Sequence, residues 1–177
     1  MAFVEQDDTG LIANANAYIS LVEMRAYWLD RGTDLAAVAD ADLEAAIILA
    51  TAYMDFRYPF LGYMLNDPTL QFTQWPRQEV YYAYPNAATQ VTGLPRQIKE
   101  VCAELAQIAR TEALFQPSTT VGQPGGLRRT VDVVGPLREE REYFGTGSTV
   151  TRKFPKADSM LVAARLVTVN TSQMVRA

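Results

Sequence analysis

The apolar positions of the chain recur at helical spacing in three places. From 14 to 31, Tyr18, Val22, Ala26 and Leu29 fall on one stripe, widened by Ile19, which predicts an amphipathic helix. Asn14 or Asn16 is placed to cap it, and Arg31 followed by Gly32 is a stop signal. From 41 to 57, Leu43, Ile47, Ala50 and Met54 form a second stripe, while Ile48, Leu49, Ala52, Tyr53 and Phe56 load other faces. Asp40 stands as the cap, with Asp42 and Glu44 in the first turn, where acids favour the positive end of the helix dipole. A helix apolar on several sides is central in its domain or shared with a partner. The third helix is predicted over 95–114, with Pro95 at its first position. Ile98, Val101, Cys102, Leu105, Ile108 and Ala109 make its apolar stripe, and Lys99, Glu100, Glu104, Gln107 and Arg110 take the opposite face.

Elsewhere the helical period fails. Residues 58–94 are punctuated by Pro59, Gly62, Pro68, Pro76, Pro85 and Gly93 and carry Tyr58, Phe60, Tyr63, Phe72, Trp75, Tyr81, Tyr82 and Tyr84. So long a loop is uncommon in a compact domain unless it is functional. After Pro117 a small, polar stretch ends in the turn Pro124-Gly125-Gly126. Thr130 to Val134 reads as a strand broken by Gly135-Pro136, and Arg138 to Phe144 as its hairpin partner. Pro155 opens a short helix to about 166, and Val167 to Ala177 alternates as an edge strand or docking tail. The expected fold class is mainly α within α+β, in one domain. A helical core over 12–116 carries the long aromatic loop 58–94, followed by a β-hairpin arm over 127–144, a short helix over 155–166 and a tail over 167–177.

Composition narrows the chemistry. The 177 residues include no His and a single Cys, Cys102. That excludes a Ser-His-Asp triad, an imidazole base, a His-ligated metal and an internal disulfide. Cys102 lies on the apolar stripe of the third helix and reads as a small core hydrophobe. Asp40-x-Asp42-x-Glu44 looks like a calcium loop, but the sixth and twelfth positions are Ala45 and Thr51 rather than Gly and Glu. Gly122 to Gly126 is followed by Leu127-Arg128-Arg129, not the Gly-Lys-Ser/Thr of a phosphate loop. Glu139, Glu140 and Glu142 could serve as paired acids, but alternating charge along a half-exposed strand is the simpler account. No catalytic residue, cofactor or metal site is expected, and the chain is read as not an enzyme. The net charge of −4 and a pI near 4.9 argue against general coating of nucleic acid. No window approaches the roughly 20 apolar residues of a membrane span, and the acidic start is unlike a signal peptide. A reducing cytoplasm is the expected site of synthesis.

The aromatics around Trp75, Tyr81, Tyr82 and Tyr84 fit three roles: core packing, a subunit interface, or base stacking with Arg77 as the nearby cation. The expected interface set is Trp75, Arg77, Tyr81, Tyr82, Tyr84, Arg128, Arg129, Val167, Val169 and Met174.

Four stretches carry a resemblance. They are Asn14 to Leu21; Leu43 to Asp55 leading to Arg57-Tyr58; Gln74-Trp75-Pro76-Arg77 followed by Leu94 to Ala106; and Val133-Val134-Gly135-Pro136-Leu137 followed by Phe154 to Leu161. Together, over roughly 12–166, they resemble a family of tailed-phage proteins often labelled DnaT-like, whose organisation is similar to head–tail connector (adaptor, head-completion) proteins. The resemblance implies a virion structural protein of the neck, assembled in the host cytoplasm as a homo-oligomeric ring, usually twelve-fold. Its partners would be the portal protein and a tail or tail-adaptor protein, with genomic DNA passing through the lumen without sequence-specific contacts and no membrane involved. The label itself implies an alternative, a single-stranded-DNA-binding replication accessory.

Overall fold

The computed structural model describes residues 2–83, 88–115, 130–134, 137–141 and 154–168. The chain falls into two compact units, one of residues 1–114 with 154–177 and one of residues 115–153.

The first unit is built on two helices. Helix α2 (Asp40–Arg57) packs along α3 (Arg96–Ala109). Leu43, Ile47, Ala50 and Met54 are all buried, as their spacing predicts, and face a core that includes Ile98, Val101, Cys102 and Leu105. Ala46, Ala50, Ala103 and Ala106 are also buried, and such small side chains let two helices approach closely. Pro95 is the cap of α3 and not its first residue. Asp40 is the first residue of α2 and not its cap, which is Ala39, and its carboxylate pairs with Arg25 at 2.6 Å.

Helix α1 (Leu21–Leu29) is shorter than its predicted span and starts seven residues later. Residues 14–19 are spent on the N-terminal segment: Gln6 N donates to the Ala17 carbonyl at 2.8 Å and Asn16 N to the Val4 carbonyl at 2.9 Å. Ser20 then makes a reciprocal capping box with Glu23, a stronger start signal than either asparagine. The predicted stripe is wrong for this helix. Met24 is its buried residue, while Val22 is 77% exposed and Leu29 is exposed too.

Helix α4 (Pro155–Ala163) opens on its proline as expected and buries Ala157 and Leu161. A buried carboxylate ties three helices together. Glu104 accepts from the Tyr27 hydroxyl of α1 at 2.6 Å and from Lys156 Nζ of α4 at 2.5 Å. The polar face predicted for α3 is therefore partly an interface.

The aromatic stretch is not one loop. Strand β1 (Tyr63–Met64) pairs antiparallel with β2 (Arg77–Gln78), and β3 (Tyr81–Ala83) with β4 (Ala88–Gln90). Gly62 makes the first ladder possible. Its φ is +69°, and a Cβ there would collide with the Gln78 carbonyl and lie 2.7 Å from Val80 Cγ2. Chain 166–168 returns to this region: Leu61 N donates to the Leu166 carbonyl and Thr168 N to the Pro59 carbonyl, around an antiparallel Phe60–Val167 bridge. In the second unit, β5 (Thr130–Val134) and β6 (Leu137–Arg141) form the predicted antiparallel hairpin, with Val134 opposite Leu137 and Thr130 opposite Arg141. The architecture is a mixed α+β one, as read from the sequence.

Candidate functional site

The predicted aromatic site is held by a buried polar network. Asp55, two residues before the end of α2, accepts from the Tyr18 hydroxyl on one oxygen and from Gln74 N at 3.2 Å on the other. The Tyr18 oxygen in turn accepts from Trp75 N at 3.1 Å. Gln71 donates to the Thr73 and Pro76 carbonyls at 3.0 and 2.8 Å, and the buried Gln6 donates to Thr73 Oγ1 at 3.0 Å. The Trp75–Pro76 peptide is cis. Buried irregular backbone needs such partners, because an unpaired amide or carbonyl costs a desolvation penalty.

Two of the predicted interface residues are used up inside this network. Trp75 is fully buried, its ring edge-on to Phe60 at 5.8 Å. No face of its indole is open to a base or a partner. Arg77 spends its guanidinium on the chain itself. Nε donates to the Leu61 carbonyl at 2.7 Å, Nη2 to the Gly62 carbonyl at 2.6 Å, and Nη1 to Gln74 Oε1 at 2.8 Å. It is a clamp across the β1–β2 ladder and not a phosphate ligand. Tyr82 is half-buried, with its hydroxyl donating to Gln97 Oε1 at 3.2 Å. Tyr81 remains exposed, as do Tyr63, Leu70 and Phe72. Val167, predicted for a docking tail, is buried in its bridge to Phe60. Tyr84, Arg128, Arg129, Val169 and Met174 lie outside the described residues, as do Gly122 to Gly126 and Glu142.

The electrostatics are those of a dry lock. Burial pushes the Asp55 carboxyl up to about 7, against the opposing pull of the Tyr18 hydroxyl, the Gln74 N–H and Arg77. Burial, then the Asp55 charge, pushes the Tyr18 hydroxyl well up. Burial also pushes the Cys102 thiol up to about 12, with Thr51 Oγ1 beside it at 3.5 Å. A thiol so protonated is no nucleophile. Among the described residues no group of three or more acids or Cys gathers as a metal site would, and no helix is long and apolar enough to cross a membrane.

Sequence reasoning missed Tyr18, Asp55 and Glu104. Asp55 carries a readable signal, since it interrupts an otherwise apolar stretch of α2. Glu104 carries none, because it keeps the polar spacing of α3.

Compared with known proteins, the chain is matched over residues 1–177 by a family model described as "Putative DnaT-like ssDNA binding protein". No curated protein and no solved structure matches it.

The geometry makes Trp75 and Asp55 stability determinants. Trp75→Ala should lower unfolding free energy by about 3–5 kcal/mol, read by urea denaturation. Asp55 has a folded pKa above the ordinary carboxylate value of about 3.9. Its contribution to stability is therefore full below that value and is lost as pH rises toward about 7. Urea midpoints of wild type and Asp55→Asn, compared at about pH 5 and about pH 8, should move in the variant's favour at the higher pH.

Proposed function

The chain belongs to this DnaT-like family, and on that premise we propose that it binds single-stranded DNA as an accessory protein with no enzymatic activity of its own. The observation that carries the reading is the family match over the whole of residues 1–177. The distribution of charge supports it. Residues 1–114 hold seven basic against fifteen acidic side chains, whereas 115–153 hold six against four and 154–177 three against one. The acidity thus belongs to the first part of the chain, and the later segments are net basic. That division of charge leaves basic residues available to a strand while the acidic majority limits indiscriminate coating of nucleic acid.

A second reading is a head–tail connector subunit of a tailed-phage virion, forming a ring between portal and tail that passes DNA. One observation favours it. Val22, Leu29 and Leu49 on α1 and α2, with Tyr63, Leu70 and Phe72 on the stretch that follows, leave large apolar side chains exposed. Apolar surface of that kind marks interaction surfaces. In a closed ring each subunit presents two different faces, head to tail.

Two measurements separate the readings. Fluorescence anisotropy with an oligothymidylate of about 20 nucleotides at about 50 mM salt should show binding that weakens as salt rises. Absence of any binding under those conditions would remove the first reading. Light scattering and electron microscopy of the purified protein test the second, for which a ring of many subunits is the expected outcome. A strict monomer that neither assembles alone nor joins virion particles would eliminate it.

A further inference from the structure

We infer that the protein grips single-stranded DNA not through the aromatic loop but through a face made by the end of α1, α3 and the start of α4, where Tyr27, Trp28, Arg31 and Lys156 form a base-stacking site. This rests on the single-strand reading above and adds the place of contact. Single-strand sites combine aromatic platforms with interleaved cations. The loop around Trp75 lacks that pattern, since its one arginine is committed to backbone carbonyls. The α1–α3–α4 face has it: Tyr27 and Trp28 are half-buried against the core, with exposed cations beside them. The Arg31 guanidinium carbon lies 3.4 Å from the centroid of the Tyr27 ring, and Nη1 donates to the Tyr27 carbonyl at 2.9 Å. That bond fixes a planar cation over the ring, and Arg31 itself is exposed. Guanidinium planes stack on bases much as aromatic rings do. Tyr27 and Trp28 meet edge to face at 5.5 Å, and Lys156 Nζ stands 6.0 Å from the Trp28 ring. The order is cation, ring, ring, cation.

Both rings of the site are anchored by hydrogen bonds, and its charges are layered. Trp28 Nε1 donates to the Ala103 carbonyl at 3.2 Å, and the Tyr27 hydroxyl is bound by Glu104, so both rings are held before any ligand arrives. Preorganisation of this kind reduces the ordering cost of binding. The side chains of Arg96 and Lys156 are 83% and 64% exposed, while those of their acidic partners Glu100 and Glu104 are only 18% and 8% exposed. Cations therefore form the outer layer and carboxylates the inner one, and a phosphate meets the cations first. Asp30, exposed beside Arg31, keeps the local excess of charge small. Stacking then supplies the larger share of affinity. Three phosphate contacts would give a shallow salt slope of about −2 on logarithmic axes.

The test is a titration of the full chain with labelled oligothymidylate, read by anisotropy and by tryptophan fluorescence. Wild type should bind with quenching of Trp28, against a constant background from the buried Trp75. Arg31→Glu should weaken binding by about tenfold or more, and Trp28→Phe, which keeps a ring in place, should remove most of the quench. Tyr81→Ala, which removes an exposed aromatic of β3, should bind as wild type does. If wild type binds and Arg31→Glu binds equally well, or if Tyr81→Ala is the damaging variant, the site is wrong and the single-strand reading stands. If wild type does not bind, both fall. A change in molecular mass for Arg31→Glu by light scattering, with DNA affinity unaltered, would reassign the face to self-association and overturn the proposal.

Discussion

Irregular backbone can be buried only if its amide and carbonyl groups find partners, and in this protein side chains provide them. The stretch from Leu61 to Val80 has two short strand segments and must otherwise be held piecemeal. Gln71 and Arg77 serve the carbonyls of their own segment. Tyr18 and Asp55 reach in from the N-terminal segment and from α2 to take the Trp75 and Gln74 N–H groups. Because those groups are satisfied, Trp75 can be seated in the core and the β1–β2 ladder can close on Gly62. The returning chain at 166–168 then docks along 59–61. The α2–α3 pair supplies the apolar mass, but this polar lock decides which aromatics are spent inside and which remain outside.

The legible parts of the sequence are those where periodicity and packing are the same fact. The Leu43, Ile47, Ala50, Met54 stripe and the stripe of α3 are buried because two helices that pack along each other need continuous apolar faces. The β5–β6 hairpin follows from a β-branched run and its Gly-Pro break, and α4 follows from Pro155. Where tertiary contacts override local preference, the reading fails. Tyr18 and Ile19 have helical spacing relative to Val22, yet a long-range hydrogen bond from Tyr18 N to Thr51 Oγ1 and the pairing of residues 16–17 with 4–6 hold that stretch out of the helix. Trp75 and Arg77 look like an interface pair because aromatic and cation adjoin in sequence. Arg77 is held by the Leu61 and Gly62 carbonyls and Trp75 is seated by Tyr18 and Asp55, partners that no local pattern announces. Val167 alternates like an edge strand and makes a single antiparallel bridge to Phe60.

The same distinction governs the candidate site. Tyr27, Trp28 and Arg31 are neighbours in sequence, but nothing local places Lys156 beside them or marks Glu104 as the acid beneath. That arrangement is created by three helices converging. Glu104 accepts from a tyrosine hydroxyl and a lysine ammonium on one oxygen, Oε1, and it is this pairing that compensates a buried carboxylate. Removing the ammonium would leave the acid with less compensation, so Lys156 is a structural as well as a surface residue.

On the single-strand reading, this layering also bears on how a protein of net charge −4 would select a single strand over a duplex. Duplex affinity of the nonspecific kind grows with the number of phosphates neutralised, and a face whose cations are backed by acids neutralises few. Duplex bases are stacked on each other and offer no open π-face. A single strand can turn its bases outward onto fixed rings and a fixed guanidinium plane. Weak electrostatics with strong stacking therefore discriminates between the two forms, where a strongly basic surface would hold both. On the single-strand reading, the acidity of the first 114 residues works with the site: it suppresses the contacts that do not depend on exposed bases and leaves those that do.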